Sequence, residues 1–207
     1  NTMLLAFTAG IITTMLSILF NFNIRISKSK HSKFLNEFIS MGYGVPGLIL
    51  AIGITQCLTY FDLILFDIGI IVTGSLFGLI FAYVIKSYAL TNNVLESSYK
   101  QFSGSIDESA RILGASKYNL LGNIHIPLLK TGIFTSVLLV VSEVVKELPA
   151  TLVLRPFNFD TLAVTVYTYA SEERIYEAAF PALFIIFIGL IPIYFISNMI
   201  RSSKGLN

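Results

Sequence analysis

Charged side chains are scarce in this chain of 207 residues, since Asp, Glu, Lys and Arg together account for 13% of it. A soluble domain carries about 25% of such residues, so this sequence has too little charge to cover a water-exposed surface. Its net charge of +2, without a long basic run, gives no support to nucleic-acid binding.

Cysteine is nearly absent as well. The lone Cys57 lies in an apolar run, cannot form an intrachain disulfide, and is interpreted as a small buried hydrophobic residue.

Signatures of enzymes are also missing. The sequence contains no phosphate-binding G-x-x-x-x-G-K-[ST] loop, and neither a G-x-S-x-G nor an H-E-x-x-H motif. His31 and His125 are isolated in the sequence and are interpreted as surface or packing residues. No cluster of His, Tyr and carboxylates has the spacing of metal ligands. We therefore expect no catalytic residue, no cofactor and no resident metal.

Long apolar runs dominate what is present. Four runs of 18 or more residues contain no Asp, Glu, Lys or Arg: Met3–Phe20, Met41–Phe61, Ile68–Ile85 and Ala178–Ile200. About 20 residues of helix cross the hydrocarbon core of a bilayer, so the chain is predicted to be an all-α polytopic membrane protein. One further crossing would have to carry Glu143. The five predicted spans are 3–22, 41–60, 68–88, 131–148 and 178–200.

The basic residues predict the orientation. Most of the 14 lysine and arginine residues fall in 23–40, which is predicted to be a loop, in 86–130 and at the C-terminus. The positive-inside rule therefore places 86–130 in the cytoplasm and 149–177 outside. With five spans, the N-terminus lies outside and the C-terminus inside. The chain begins without an initiator Met, and we expect it to be a fragment or one half of a longer permease.

The cytoplasmic stretch Ser105–Pro127 is polar and is predicted to be helical. Ser105 and Glu108 fit a capping box, and Gly114 is predicted to end the helix because glycine accepts the left-handed conformation. A second short helix, about 116–123, would follow before the next span. On these grounds alone the stretch is either a docking surface or only a structured loop.

The same stretch carries a spaced motif. It reads Glu108-Ser109-Ala110, three residues, Gly114, nine residues, and Ile124-His125-Ile126-Pro127. This resembles the EAA motif of ABC importer permeases (E-A-A, three residues, G, nine residues, I-x-L-P), with departures at Ser109 and Ile126. The resemblance implies the type I ABC importer permease fold, in which the motif forms a coupling helix that seats in a groove of a cytoplasmic ATPase. The residues it implies for this coupling are Glu108, Ser109, Ala110, Gly114, Ile124, Ile126 and Pro127.

A second resemblance begins at Lys146-Glu147-Leu148-Pro149 and continues through Arg155-Pro156-Phe157-Asn158-Phe159-Asp160. This stretch is similar to the C-terminal half of ferric-iron ABC importer permeases. With weaker matches at 42–47 and 189–192, the resemblance covers essentially the whole chain. It implies a multi-pass permease subunit of the bacterial inner membrane for ferric iron. Its implied partners are cytoplasmic ATPase subunits, an extracytoplasmic solute-binding protein and a second permease half or subunit.

Two alternatives stay open. The chain could serve another small solute, such as a polyamine, thiamine or a phosphonate, or it could be a membrane scaffold or channel-like subunit without an ATPase. On the outer face, Arg155 and Asp160 are candidates for contact with the solute-binding protein. The adjoining stretch 161–169 is alternatively only an interfacial helix, because it carries Tyr167 and Tyr169, and tyrosine prefers the membrane interface.

Three charges are predicted to lie within the fourth span, namely Glu143, Lys146 and Glu147. A charge near the bilayer centre costs about 2.5–3.5 kcal/mol, so such residues usually face a bundle interior or a water-filled cavity. Their spacing places all three on one helical face, with Pro149 breaking the helix just beyond. We hypothesise that this face and Pro149 line the translocation pathway near its outer mouth. An ion pair that only fixes helix packing is the alternative.

Overall fold

A computed structural model describes residues 1–66 and 71–204, and every regular element within these residues is helical. The predicted all-α class is therefore confirmed. The α-helices are α1 (Thr2–Ser27), α2 (Lys30–Ser40), α3 (Gly47–Ile64), α4 (Leu76–Lys100), α5 (Ser105–Ile112), α6 (Lys117–Asn119), α7 (Ile126–Val145), α8 (Pro149–Leu154), α9 (Leu162–Ser171) and α10 (Ile175–Lys204). A 3-10 turn, Met41–Gly44, precedes α3, and a π-helical stretch, Leu120–His125, joins α6 to α7.

Helices α1, α4 and α7 pack against one another and form the centre of the bundle. Their shared core contains Leu5, Leu79 and Val140, which are fully buried. Small residues allow close approach: a Cβ on Gly132 of α7 would fall 2.3 Å from Oγ of Ser98 on α4. Such contacts are typical of membrane helices, whose association depends on close packing. Around this centre, α3 packs on α4 and α8, and α10 packs on α7 and α9.

Four helical segments in the described residues are long and apolar enough to cross a membrane: Thr2–Ser27, Gly47–Ile64, Lys117–Val145 and Ile175–Phe195. They overlap four of the five predicted spans. The remaining predicted span, 68–88, overlaps α4, which begins only at Leu76, behind the capping residue Ser75. Residues 68–70 of that span lie outside the described residues. That α4 crosses the membrane stays a prediction.

The predicted basic loop at 23–40 is mostly helical. Helix α1 ends at Ser27 and is followed by its C-cap Lys28, whose φ of 51° is left-handed. Ser29 then caps α2 by accepting a hydrogen bond from a backbone N–H three residues on (3.3 Å). The buried Asn36 of α2 donates to the side chain of Asn92 on α4 (3.0 Å). The loop prediction was wrong because the charges of this stretch indicate an exposed face, and such a face is compatible with a helix.

Cys57 is exposed, so its interpretation as a buried residue is wrong for this chain. The buried residues of α3 are Gly47, Ala51, Ile54 and Leu58. They recur every three or four positions and therefore form one face of the helix. Cys57 lies off that face, and the helices that pack on α3 leave it uncovered.

Candidate coupling surface and pathway residues

Helix α5 carries the first part of the spaced motif. Gly114, just beyond its end, has a φ of +82°, so the predicted left-handed glycine is confirmed. The predicted capping box of Ser105 and Glu108 is wrong. Gly104 is the N-cap, and the Ser105 hydroxyl bonds to Oγ of Ser103 instead (2.8 Å). Because Ser105 is already the first helical residue, the N–H of Glu108 bonds to the carbonyl of Gly104 (3.3 Å).

The predicted short helix at 116–123 and the following span form one continuous helix, Lys117–Val145. Ser116 caps it by accepting a backbone N–H (3.2 Å). This helix begins well before residue 131, where the fourth span is predicted to start, because Pro127 does not interrupt it. The position at which this span starts stays a prediction. The wider π-helical turn at Leu120–His125 accommodates a residue that has no N–H to donate. The end of the motif and α7 are therefore parts of one helical rod.

The motif residues differ in their accessibility. The exposed ones are Glu108, Ser109, Gly114, Ile126 and Pro127, while Ile124 is half-buried and Ala110 is buried. Ser109, Ala110 and Ile124 line one shallow concavity between α5 and the helix that follows it. The structure thus brings three of the predicted coupling residues together on a single surface.

Three large apolar side chains follow the first part of the motif in the sequence, Ile112, Leu113 and Tyr118, and Leu113 lines the concavity. We refer to these three residues as the apolar rim. The three side chains are 86%, 87% and 87% exposed. Large apolar side chains that stay this exposed within a polar segment are typical of protein–protein contacts. Sequence reasoning missed this rim. The available signal was the presence of large apolar residues within an otherwise polar segment.

Asp107 fixes α5 from its buried side. Its Oδ1 lies 2.8 Å from Nε2 of His125, and its Oδ2 accepts a hydrogen bond from Nε of Arg25 (2.6 Å). His125 is fully buried, which agrees with a packing role, but it is not isolated as the sequence indicated. Sequence reasoning missed Arg25 and Asp107. The signal for Asp107 was its position three residues before Ala110, on the same helical face.

Glu143, Lys146 and Glu147 do not share one helical face, contrary to the prediction. Helix α7 ends just before Lys146, which forms an ion pair with Glu143 (2.8 Å). Glu147 lies beyond the helix end and forms an ion pair with Lys86 of α4. Pro149 has no backbone N–H with which to continue α7, and it is the first residue of α8. Glu143 therefore lies on α7, whereas Lys146 and Glu147 lie beyond the last residue of this helix.

A narrow pocket between α4 and the end of α7 collects some of these groups. Its lining includes Tyr43, Tyr83, Lys86, Glu143 and Glu147. Oε1 of Glu147 also accepts the backbone N–H of Ala150 (3.3 Å). Two predicted pathway residues, Glu143 and Glu147, thus meet at this pocket. Lys146 and Pro149 are exposed outside it.

Arg155 and Asp160 form an ion pair with each other. The backbone carbonyl of Asp160 also accepts a hydrogen bond from the side chain of Asn1 (3.1 Å). Thr161 follows and caps α9 by accepting the N–H of Val164 (3.4 Å). These contacts stabilise the segment that connects α8 to α9. A contact of Arg155 and Asp160 with another protein stays a prediction.

The sequence of this helical chain matches a known protein family. Residues 6–203 match the family model described as binding-protein-dependent transport system inner membrane component. The chain belongs to this family. It is therefore a multi-pass component of an inner-membrane transport system, and the resemblance to ABC importer permeases is confirmed.

Two relatives show what this chain is similar to. It is 26% identical over 157 residues to the Fe(3+)-transport system permease protein FbpB 2 of Haemophilus influenzae, covering 75% of this chain and 29% of that protein. It is 25% identical over 162 residues to the putative 2-aminoethylphosphonate transport system permease protein PhnV of Salmonella typhimurium, covering 78% of this chain and 57% of that protein. The chain thus spans less than two thirds of either relative.

Proposed function

We propose that this chain forms the permease part of an ATP-driven ABC importer that carries ferric iron across the cytoplasmic membrane. The family and the Fe(3+)-transport permease among the relatives support this proposal. ATP is hydrolysed on separate cytoplasmic ATPase subunits, and an extracytoplasmic solute-binding protein delivers the solute. A second permease unit completes the pathway, because one set of these helices forms only one wall of it.

The observation that carries the proposal is the apolar rim of Ile112, Leu113 and Tyr118 beside the motif. Many other exposed apolar side chains of this chain lie on helices apolar enough to face lipid. The rim instead lies within the polar stretch Ser105–Pro127, which the positive-inside rule places in the cytoplasm. A groove on another protein covers it better than lipid does, and the ATPase is the partner that we assign to this surface.

This assignment is tested by co-purification. Leu113→Asp and Tyr118→Asp place a charge on the rim, and we expect each to remove the ATPase from the purified complex. Phe157→Asp is the matched control, because Phe157 is at least as exposed as Leu113 and Tyr118 but lies on the predicted outer side. Stable isolation of the native protein without any ATPase, with transport intact, would instead favour a scaffold or channel-like subunit.

The pathway runs past the pocket at the end of α7. Glu143 and Glu147 place two carboxylates there, and carboxylate oxygens suit a hard cation such as Fe(III). ATP-driven movement of α5 displaces the rod Lys117–Val145, whose far end carries Glu143. Access to the pocket from the two sides of the membrane alternates with this movement.

The substrate is tested by uptake in cells that lack the protein. We expect loss of ferric iron uptake, with recovery when the gene is returned. A phosphonate is the second candidate, because PhnV overlaps this chain over a larger share of its own length. Loss of 2-aminoethylphosphonate uptake with unchanged iron uptake would favour that candidate.

A further inference from the structure

One carboxylate joins α5 to two other helices. Asp107 meets Nε2 of His125 through one oxygen (2.8 Å) and accepts a hydrogen bond from Nε of Arg25 through the other (2.6 Å). Arg25 lies in the last turn of α1, and His125 ends the π-helical stretch that continues into α7. We refer to these three residues as the Asp107 network. Through it, α5 is bonded to α1 and to the α7 rod at once.

Arg25 also holds the connection from α4 into α5. Its Nη1 donates to the backbone carbonyl of Tyr99 (2.9 Å), and its Nη2 donates to those of Phe102 (3.3 Å) and Ser103 (2.9 Å). Its guanidinium carbon lies 4.6 Å from the centroid of the Phe102 ring, within the range of a cation–π contact. A lysine cannot make all of these hydrogen bonds, because its ammonium group is a single point charge and lacks the planar array of N–H donors that a guanidinium group carries.

His125 closes the network on its buried side. The rings of Phe22, Tyr99 and Phe102 surround it, with centroid distances of 5.2, 5.5 and 5.8 Å. Burial raises the pKa of the Tyr99 phenol above its usual range, so Tyr99 adds no charge here. Removing the charged partner of a buried carboxylate strongly destabilises the folded protein. Arg25, Asp107 and His125 are therefore expected to move together when α5 is displaced.

We infer that Asp107 is the positioning residue through which a displacement of α5 reaches α1 and α7. The inference rests on the proposed function, because the displacement comes from a docked ATPase. Glu108 and Ser109 are exposed on α5, whereas the adjacent Asp107 is buried against the bundle. Removing the Asp107 carboxylate leaves the docking surface in place but breaks its connection to the helices. ATP hydrolysis then continues with little transport.

The test uses the complete importer in proteoliposomes, with the ATPase subunits, the second permease unit and the solute-binding protein, and with ferric iron as the probe. Three quantities are measured: ATPase co-purification, the rate of ATP hydrolysis, and the amount of solute imported per ATP. We expect Asp107→Asn to preserve the first two and to lower the third by about tenfold. If the native complex imports 2-aminoethylphosphonate instead, the same ratio is measured with that solute.

Glu96→Gln is the matched control. It also converts a carboxylate to an amide near the predicted cytoplasmic end of the bundle, but the side chain of Glu96 is 46% accessible and pairs with the exposed Lys100 one helical turn away (2.7 Å). Such exposed pairs contribute little to stability. We therefore expect the imported amount per ATP to be unchanged in this variant.

Two further variants keep the test decisive if Asp107→Asn fails to assemble. Asp107→Glu keeps the carboxylate and is expected to retain most of the transport per ATP. Arg25→Lys keeps the positive charge but loses the guanidinium N–H donors. We therefore expect it to lower the amount of solute imported per ATP while the ATPase still co-purifies. An unchanged ratio in both Arg25→Lys and an assembled Asp107→Asn would overturn the inference.

Loss of the ATPase from every variant of the network would indicate a role in folding or docking alone, which also overturns the inference while the proposed function stands. A native complex that never retains an ATPase would overturn the proposed function, and the inference with it. The two failures are thus distinguished by the behaviour of the native complex.

Discussion

Gly47, the first residue of α3, lies directly against the carboxylate of Glu147. A Cβ on Gly47 would stand 2.8 Å from Oε1 of Glu147 and 3.0 Å from Nζ of Lys86. Since Glu147 and Lys86 form an ion pair, the missing side chain leaves room for that pair. The start of α3, the middle of α4 and the segment after α7 therefore meet at one point.

Gly47→Ala is expected to destabilise the protein by about 1 kcal/mol, because the added methyl group displaces the flexible ends of Glu147 and Lys86 and weakens their ion pair without moving the backbone. Thermal unfolding in detergent measures this. Gly53→Ala is the control on the same helix, since a Cβ there meets nothing within 4 Å. Replacing an interior helical glycine stabilises by up to about 1 kcal/mol. Equal melting temperatures for the two variants would contradict the prediction.

Glu147→Gln is expected to destabilise the protein because it leaves the charge of Lys86 without its partner. The two side chains are only 24% (Lys86) and 10% (Glu147) exposed, and loss of such a partner costs about 1–3 kcal/mol. The double variant Lys86→Gln/Glu147→Gln removes both charges and should recover much of the loss. Thermal unfolding of the single and double variants forms a double-mutant cycle. Strictly additive losses would show that the pair contributes nothing.

Glu143→Gln separates the pathway hypothesis from a packing role. The pair of Glu143 with Lys146 is partly exposed, with 35% and 56% of the side chains accessible, so its loss should cost under about 1 kcal/mol. We expect normal assembly and a reduced rate of solute uptake, because the pocket loses a carboxylate. Glu172→Gln, which alters an exposed pair with Arg174 (3.2 Å), is the control. Full uptake in Glu143→Gln would favour packing alone.

The class of the fold could be predicted from the sequence because membrane insertion depends on the composition of runs of about 20 residues. Helix ends were less predictable. A proline is expected to interrupt a helix at both Pro127 and Pro149. The helix Lys117–Val145 nevertheless continues through Pro127, whereas a new helix, α8, begins at Pro149. A π-helical turn precedes Pro127 but not Pro149, and its residues Leu120 and His125 are buried among other elements of the fold. The presence of a proline in the sequence does not show how its neighbours pack.

The candidate site was predictable where spacing along one chain segment decides it. Gly114 is such a case, because a helix C-terminus requires a left-handed residue. The partners of Asp107 and Glu147 were not predictable, since Arg25 and Lys86 lie 82 and 61 positions away. Both ion pairs arise only when α1 and α4 pack against the later helices. Composition shows that these charges exist, but not which of them meet.

Gly114→Ala is expected to weaken binding of the ATPase. Gly114 has a φ of +82°, and a Cβ there would meet nothing within 4 Å, so the cost is backbone strain and not crowding. A residue with a side chain pays about 1–2 kcal/mol in the left-handed region. We expect the free Gly114→Ala variant to relax out of this region, so that ATPase binding has to restore the turn and the affinity falls by about tenfold. The strain acts at the end of α5, where it displaces the rim residue Leu113. Titration of purified ATPase onto the permease measures the dissociation constant.

Gly104→Ala provides the matched control for that titration. Gly104 flanks the other end of α5, and a Cβ there also meets nothing within 4 Å, but its φ is −63°. Alanine adopts that value without strain, so the dissociation constant should not change. Gly114→Asn should fall between the two, because asparagine tolerates the left-handed region better than alanine does. Equal affinity of the Gly114→Ala and Gly104→Ala variants would show that the left-handed turn does not shape the docking surface.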